Sequence, residues 1–318
     1  MAMLNIVVLN QLADRHKQAI AAAAPDVNII VCEEKDALQH MPDCHILVTW
    51  GSTEIRQLYL AAPNLEWVHA LSAGVEKLVF PEIQAADTIL TNSKGIHGIP
   101  ITEHVLAMML AFSRGLNLTI RQQLAKNWKR VPAAELYEHT IAIVGLGAIG
   151  REIAKKAKAL GMTVLASKQE MTTELFVDKL YLSDNDSLLE MLAQADFVVV
   201  CLPLTASTKN LISLPHFAAM KRSAYFINIS RGAIINEADL ITALEQKLIQ
   251  GAGLDVFVAE PLPETSPLWD MPNVIITPHM AALSPVYLDR AIKLFSDNLT
   301  RFVQGREMIN LIDKIKGY

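Results

Sequence analysis

Short apolar runs alternate with helix-like segments along the first 98 residues. The runs cover residues 5–9, 27–32, 45–49, 67–71 and 89–91, and the alanine-rich segment 15–24 between the first two ends at Pro25. Apolar runs of this length are typical of buried parallel strands that are joined by crossover helices. The pattern therefore predicts a small parallel sheet with helices around it.

The same alternation continues after a break at residues 92–100, which are rich in Gly, Pro, Asn and Ser and are interpreted as a linker. An apolar helix is expected to begin at Ile101. Further strands are predicted at 141–144, 162–166, 196–201, 225–229, 251–256 and 274–277, with helices at 149–160, 188–195 and 284–304. The fold class is α/β, with two parallel sheets.

Residues 140–160, TIAIVGLGAIGREIAKKAKAL, combine a strand, a glycine turn and a helix. In dinucleotide-binding turns the first glycine allows a tight bend, the second lets the backbone approach a pyrophosphate, and the third lets the helix pack on the strand. Gly145, Gly147 and Gly150 have this spacing. The flanking strand and helix favour a phosphate-binding turn over a glycine turn without a ligand.

The strand after this turn lacks the acidic residue that holds the ribose 2′-hydroxyl in NAD-binding proteins. It ends at Ser167 and Lys168, and Glu170 lies several residues beyond it. Ser167 can hydrogen-bond a 2′-phosphate and Lys168 can supply a positive charge, so NADP is expected to be preferred over NAD. A solvated lysine on a loop is the alternative.

Composition mainly excludes other classes of protein. With 318 residues, of which 52% are hydrophobic, the chain is long enough for two domains and too apolar to be disordered. The net charge of -5 and the scattered basic residues argue against a nucleic-acid partner. No leader or membrane-spanning run is recognised, which predicts a cytoplasmic protein. Cys32, Cys44 and Cys201 are expected to be buried free thiols, and no metal site is predicted.

Polar residues follow three later strands and predict a proton-transfer site. Arg231, Glu260 and His279 lie just beyond strand ends, which meet at one edge of a parallel sheet. Each alone has an ordinary explanation, such as an ion pair, a solvated loop acid or a satisfied loop histidine. In the first sheet a strand is followed by small residues whose N–H groups could bind an anion. These residues are Ser72, Ala73, Gly74 and Val75, and an ordinary loop is the alternative interpretation.

Four phrases, VGLGAIG, ISRGAIINEADLITAL, GAGLDVFVAEPLP and TPHMAALS, resemble the D-isomer-specific 2-hydroxyacid dehydrogenases. That family includes glyoxylate/hydroxypyruvate reductases, D-lactate dehydrogenases and 3-phosphoglycerate dehydrogenases. The resemblance covers about residues 92–305 and, more loosely, the first domain through SAGVE. It implies two Rossmann-like or flavodoxin-like domains: a substrate domain of residues 1–98 and 285–318, and an inserted dinucleotide domain of residues 99–284. It also implies a homodimer formed through the helix near Ile101.

The resemblance also assigns roles to the strand-end residues. His279 would be the general acid in ketone reduction, Glu260 would hydrogen-bond its ring and favour the protonated form, and Arg231 would bind the carboxylate and polarise the keto oxygen. The N–H groups of residues 72–75 would hold the carboxylate from the other domain. Further cofactor contacts are implied at Ala148, Ile149, Leu202, Pro203, Thr208, Ile229 and Asp255.

The predicted function is that of an NAD(P)-dependent D-2-hydroxyacid dehydrogenase that reduces glyoxylate, hydroxypyruvate or a similar small 2-keto acid. Two alternatives stay open: a dinucleotide-sensing, corepressor-like binding module on the same fold, and 3-phosphoglycerate as substrate. A formate dehydrogenase is disfavoured by Glu260, since those relatives pair the histidine with glutamine. No C-terminal regulatory domain is expected, because the chain ends at Tyr318.

Overall fold

A computed structural model describes residues 3–315, which form two compact units. The first unit consists of residues 3–97 and 284–315, and the second unit is Gly98–Leu283. The second unit is thus inserted into the sequence of the first. Residues 1–2 and 316–318, at the outer limits of the predicted substrate domain, lie outside the described residues.

The elements of each unit follow the predicted alternation of strands and helices. The strands are β1 (Leu4–Val8), β2 (Val27–Val31), β3 (Ile46–Thr49), β4 (Trp67–Ala70), β5 (Ile89–Asn92), β6 (Thr140–Val144), β7 (Thr163–Lys168), β8 (Lys179–Leu182), β9 (Phe197–Val200), β10 (Tyr225–Asn228), β11 (Gly251–Leu254) and β12 (Val274–Ile276). The α-helices are α1 (Asp14–Ala23), α2 (Arg56–Leu60), α3 (Pro81–Ala85), α4 (Gly98–Ser113), α5 (Leu116–Leu124), α6 (Ala148–Ala159), α7 (Asn185–Leu192), α8 (Leu214–Ala219), α9 (Glu237–Glu245) and α10 (Tyr287–Val303).

The first unit contains a five-stranded parallel sheet in the order β2-β1-β3-β4-β5, the flavodoxin-like arrangement. Alternate side chains of its strands enter two apolar clusters, so Leu47 and Val68 lie on one face while Ile46 and Trp67 lie on the other. The second face is covered in part by α10, whose Phe295 ring stacks on Trp67. Burial on both faces explains why these strands are apolar throughout.

The second unit contains a seven-stranded parallel sheet in the order β12-β11-β10-β9-β6-β7-β8. The strand order reverses between β6 and β9, which is where doubly wound sheets bind ligands at the carboxyl ends of their strands. The two parallel sheets confirm the predicted fold class. The edge strand β8 was not predicted, because its apolar stretch is only three residues long and only Tyr181 of its four residues is buried.

Two smaller expectations differ from the structure. The apolar helix begins at Gly98 rather than Ile101. All three cysteines are free, but only Cys44 is fully buried, so the prediction of buried thiols was wrong for the half-buried Cys32 and Cys201. Within residues 3–315, no helix is both long enough and apolar enough to cross a membrane.

Candidate active site

The glycine turn between β6 and α6 has the geometry expected of a pyrophosphate cradle. Gly145 has a φ of +99°, which L side chains rarely adopt, and a Cβ at Gly150 would lie 2.5 Å from the Gly145 carbonyl oxygen. A Cβ at Gly147 would instead meet no other heavy atom within 4 Å. Because this open space lies at the N-terminus of α6, the turn fits the phosphates of a dinucleotide.

Most of the other predicted cofactor residues lie at the same edge of the sheet. Ala148 and Ile149 form the first turn of α6. Leu202 follows β9 and donates its N–H to Ser230 Oγ at 3.1 Å, while the Thr208 hydroxyl donates to the Pro203 carbonyl oxygen at 2.6 Å. Ile229 directly follows β10 and is buried. These contacts fix the loops around the turn, and their contact with a cofactor stays a prediction.

The end of β7 has a different environment from the one predicted. Ser167 is only 1% exposed, and its hydroxyl accepts a hydrogen bond from Gly145 N at 3.3 Å, so this side chain holds the glycine turn in place. Lys168 Nζ lies 3.2 Å from Glu174 Oε1 instead of being solvated. Sequence reasoning missed Glu174, which lies in a segment without periodicity. Glu170, which follows the strand end, is exposed.

A buried carboxylate holds the turn that carries His279. Asp255 directly follows β11, is 1% exposed, and accepts hydrogen bonds from the N–H groups of Met280 and Ala281, both at 2.9 Å. The Thr277 hydroxyl donates to the same carboxylate at 2.5 Å. The structure thus gives Asp255 a role in shaping this turn, where His279 has a φ of +50°. Its predicted contact with the cofactor stays a prediction.

Glu260 and His279 are in hydrogen-bond contact, as the family resemblance implies. Glu260 Oε2 lies 2.8 Å from His279 Nδ1, and Oε1 accepts a hydrogen bond from Phe257 N at 3.0 Å. A carboxylate at Nδ1 favours a proton on that nitrogen and directs Nε2 away from it. Because 49% of the His279 side chain is exposed, the Nε2 edge of the ring can exchange a proton with a ligand.

Arg231 lies on a turn that packs directly against the Glu260 segment. It follows β10, and its Nη1 donates to the Ser230 carbonyl oxygen at 2.8 Å. A Cβ at the next residue, Gly232, would lie 1.9 Å from the carbonyl carbon of Phe257. Only glycine permits this approach, so the structure brings the segments that carry Arg231, Glu260 and His279 to one edge of the second sheet.

The loop at residues 72–75 belongs to the first unit and is held through its carbonyl groups. The Ser72 hydroxyl donates to the Gly74 carbonyl oxygen at 2.8 Å, and Asn92 Nδ2 donates to the Ala73 carbonyl oxygen at 2.6 Å. No hydrogen bond among residues 3–315 uses the N–H groups of Ala73, Gly74 or Val75. The loop therefore has backbone donors available for an anion.

Tyr287 of α10 contributes to the surroundings of this loop and was not predicted. Its hydroxyl donates to the Leu71 carbonyl oxygen at 2.8 Å and lies 2.7 Å from His97 Nε2, and its ring stacks on Trp50 with centroids 5.6 Å apart. Leu71 directly precedes the predicted loop, and Trp50 directly follows the neighbouring strand β3. Tyr287 is 216 residues from Leu71, so no local pattern could have revealed the contact.

Comparisons with known proteins point to one family. A family model described as "D-isomer specific 2-hydroxyacid dehydrogenase, NAD binding domain" matches residues 106–281. A glyoxylate reductase from Korarchaeum cryptofilum is 30% identical over 88% of this chain and 86% of its own length. A crystal structure of a D-isomer specific 2-hydroxyacid dehydrogenase family protein from Aeromonas salmonicida has a TM-score of 0.89 at 34% identity, covering 98% of this chain and 100% of that one.

A second similar structure was solved with a coenzyme. It is an NADPH-dependent glyoxylate/hydroxypyruvate reductase from Sinorhizobium meliloti in complex with NADP and sulfate. Its TM-score is 0.84 at 28% identity, over 99% of this chain and 100% of that chain.

Proposed function

Because this chain belongs to the D-isomer specific 2-hydroxyacid dehydrogenase family, whose members are NAD(P)-dependent oxidoreductases, we propose that it reduces a small 2-keto acid such as glyoxylate or hydroxypyruvate. The observation that carries the proposal is the 2.8 Å contact between Glu260 Oε2 and His279 Nδ1. A carboxylate that orients a half-exposed imidazole is the arrangement that general acid catalysis requires. The relatives from Korarchaeum cryptofilum and Sinorhizobium meliloti are both named as glyoxylate reductases, although other similar proteins are named D-3-phosphoglycerate dehydrogenase.

In the proposed reaction the bound coenzyme supplies hydride at its nicotinamide ring. His279 Nε2 donates the proton to the keto oxygen, and Glu260 holds the ring and stabilises its charged form. Arg231 binds the substrate carboxylate and polarises the keto group. The chain's own task is therefore orientation and proton delivery. Binding of the substrate carboxylate by the N–H groups of residues 72–75 stays a prediction of the family resemblance.

We propose NADPH as the preferred coenzyme. Lys168 ends β7 and no acidic residue stands on that strand, so the position that binds the ribose 2′-hydroxyl in NAD proteins carries a positive charge instead. Gly145, Gly147 and Gly150 provide the phosphate cradle, and the similar reductase from Sinorhizobium meliloti was solved with NADP. NAD stays the alternative coenzyme.

A homodimer formed by α4 and α5 is also proposed. Leu110 of α4 is 41% exposed, Leu124 of α5 is 81% exposed, and Trp128 beyond α5 is fully exposed. Apolar side chains grouped in this way favour burial against another molecule, and a second copy is the partner that the family resemblance predicts. Light scattering should give twice the 35.0 kDa mass of one chain. The predicted cytoplasmic location stays a prediction.

The test is oxidation of NADPH and of NADH, each measured by absorbance with glyoxylate, hydroxypyruvate, pyruvate, bulkier 2-keto acids and 3-phosphohydroxypyruvate. We expect turnover with a small 2-keto acid, faster with NADPH. Turnover with 3-phosphohydroxypyruvate alone would instead assign the chain to phosphoglycerate oxidation. Coenzyme binding without any turnover would favour the dinucleotide-sensing module and contradict the proposed reductase.

A further inference from the structure

The segment after β7 returns an acidic side chain to the strand end that lacks one. Glu174 Oε1 lies 3.2 Å from Nζ of Lys168 and 2.7 Å from Nη2 of Arg151, and Glu174 Oε2 lies 2.8 Å from Arg151 Nε. The Thr172 hydroxyl donates to Glu174 Oε1 at 2.9 Å. One carboxylate therefore joins two cations, and we call Arg151, Lys168 and Glu174 the β7-end cluster.

The β7-end cluster lies beside the phosphate cradle. Arg151 directly follows Gly150 in α6, and Lys168 directly follows Ser167, whose hydroxyl binds the N–H of Gly145. In dinucleotide-binding folds the end of this strand meets the adenosine ribose, and a cation there accommodates a 2′-phosphate. Both cations of the cluster are thus placed for that phosphate, but both already have an anionic partner.

The carboxylate is the most covered member of the cluster. The side chain of Glu174 is 11% exposed, against 47% for Arg151 and 27% for Lys168. The hydrogen bonds from Arg151, followed by those from Thr172 and Lys168, lower the pKa of Glu174 to about 2. Glu174 is therefore charged at any working pH, and the cluster carries a net charge of about +1 rather than the +2 of its cations alone.

We propose that Glu174 sets the coenzyme preference by competing with the 2′-phosphate for Arg151 and Lys168. This inference rests on the proposed function, in that it presumes a nicotinamide coenzyme in the glycine cradle. To bind Arg151 and Lys168, a 2′-phosphate must displace the Glu174 carboxylate from them. A ribose with a free 2′-hydroxyl leaves the Glu174 contacts intact. Glu174 thus weakens the preference for NADPH that Lys168 alone would give.

The test replaces Glu174 by glutamine, which keeps the shape of the side chain and removes its charge. Binding of adenosine 2′,5′-bisphosphate and of AMP is measured by calorimetry on the full chain, so that the readout does not depend on turnover. We expect Glu174→Gln to bind the bisphosphate about two- to fivefold more tightly, the effect of releasing one partly exposed ion pair, and to bind AMP as the parent chain does.

The matched control is Glu190→Gln, which removes the same charge from another Lys–Glu pair of the second unit. Glu190 lies 2.8 Å from Lys179 and away from the strand end in question. The Glu190→Gln variant should change neither the affinity for the bisphosphate nor the affinity for AMP. Adding Lys168→Gln to Glu174→Gln should abolish the gain, because the released cation is then missing.

The inference would be overturned by unchanged bisphosphate affinity in Glu174→Gln, by weaker bisphosphate affinity in that variant, or by an equal gain in Glu190→Gln. Weaker AMP binding would mean that Glu174 contacts the ribose itself and would equally contradict competition. Failure of the proposed reductase gives a different result, since no 2-keto acid would be reduced while the nucleotide affinities could still be compared.

Discussion

Two histidines, one in each unit, show how strongly the environment of the same side chain can differ. His69 lies in β4 of the first unit, is 0% exposed, and hydrogen-bonds Thr91 Oγ1 at 2.8 Å and Ser93 Oγ at 3.2 Å. His279 follows β12 of the second unit, is half-exposed, and has the Glu260 carboxylate at Nδ1. The first ring has neutral partners on both nitrogens, whereas the second has a charged partner on one.

This difference separates a structural histidine from one that can transfer protons. Burial lowers the pKa of His69 to about 3, because desolvation penalises the charged ring and no acid compensates for it. His69 therefore stays neutral at physiological pH. His279 has both the water contact and the carboxylate that a proton donor needs, so the setting of the ring, rather than its presence at a strand end, indicates chemistry.

The largest expected effect comes from removing the proton donor. His279→Asn should reduce turnover by about 10²- to 10⁴-fold, the usual contribution of a general acid, while coenzyme affinity stays nearly unchanged. Stopped-flow or steady-state absorbance gives the turnover, and coenzyme fluorescence gives the affinity. His139→Asn, which changes a histidine whose Nδ1 lies 3.2 Å from the Tyr137 carbonyl oxygen, is the matched control and should retain full turnover.

Unchanged turnover in His279→Asn would remove the ring from the mechanism. It would also break the contrast between the two histidines, since neither would then take part in proton transfer. An equal loss of coenzyme affinity would point to a collapsed turn rather than a missing acid.

Burial of the His69 ring should make the free energy of unfolding depend on pH. As pH falls below about 6.5, the unfolded chain protonates at residue 69 while the folded chain does not until about pH 3, so stability present above 6.5 is lost progressively over this range. Between pH 7 and pH 5 we expect the free energy of unfolding to fall by about 2 kcal/mol from this residue. Denaturant unfolding followed by tryptophan fluorescence measures it, because Trp67 lies against the His69 ring.

His69→Gln removes the titrating ring and keeps a polar side chain at the same place. The variant should be less stable at pH 7 but should show a smaller loss between pH 7 and pH 5. A pH dependence equal to that of the parent chain would show that other groups cause it and that His69 does not contribute.

Regular apolar patterns made most of the fold predictable from the sequence. β1 to β7 and β9 to β12 coincide with apolar runs, because strands buried on both faces tolerate few polar residues. β8 was not predicted, because an edge strand that is largely exposed does not require a long apolar run. Five shorter helices were not predicted either, because none carries a long apolar stripe; they are α2, α3, α5, α8 and α9.

The candidate site was predictable where residues follow strands and unpredictable where the chain returns from elsewhere. Strand ends alone predict that Glu260 and His279 lie at the same edge of the sheet, whereas their pairing was implied by the family resemblance. The missing acid at β7 was correctly noted, but Glu174 comes back through a segment whose path no periodicity encodes. The contact of Tyr287 with Leu71 joins distant parts of the first unit and depends on tertiary packing alone.

The smallest effect is expected when the partner of His279 is changed instead of its ring, which tests whether the charge of that partner distinguishes His279 from His69. Glu260→Gln keeps an acceptor for Phe257 N and removes the negative charge, so a charge-assisted hydrogen bond becomes a neutral one at a cost of about 1.5 kcal/mol, or about tenfold in turnover. Steady-state turnover of Glu260→Gln beside that of the parent chain measures the loss. Unchanged turnover would show that the charge of Glu260 does not contribute, and the charged partner would then no longer distinguish His279 from His69.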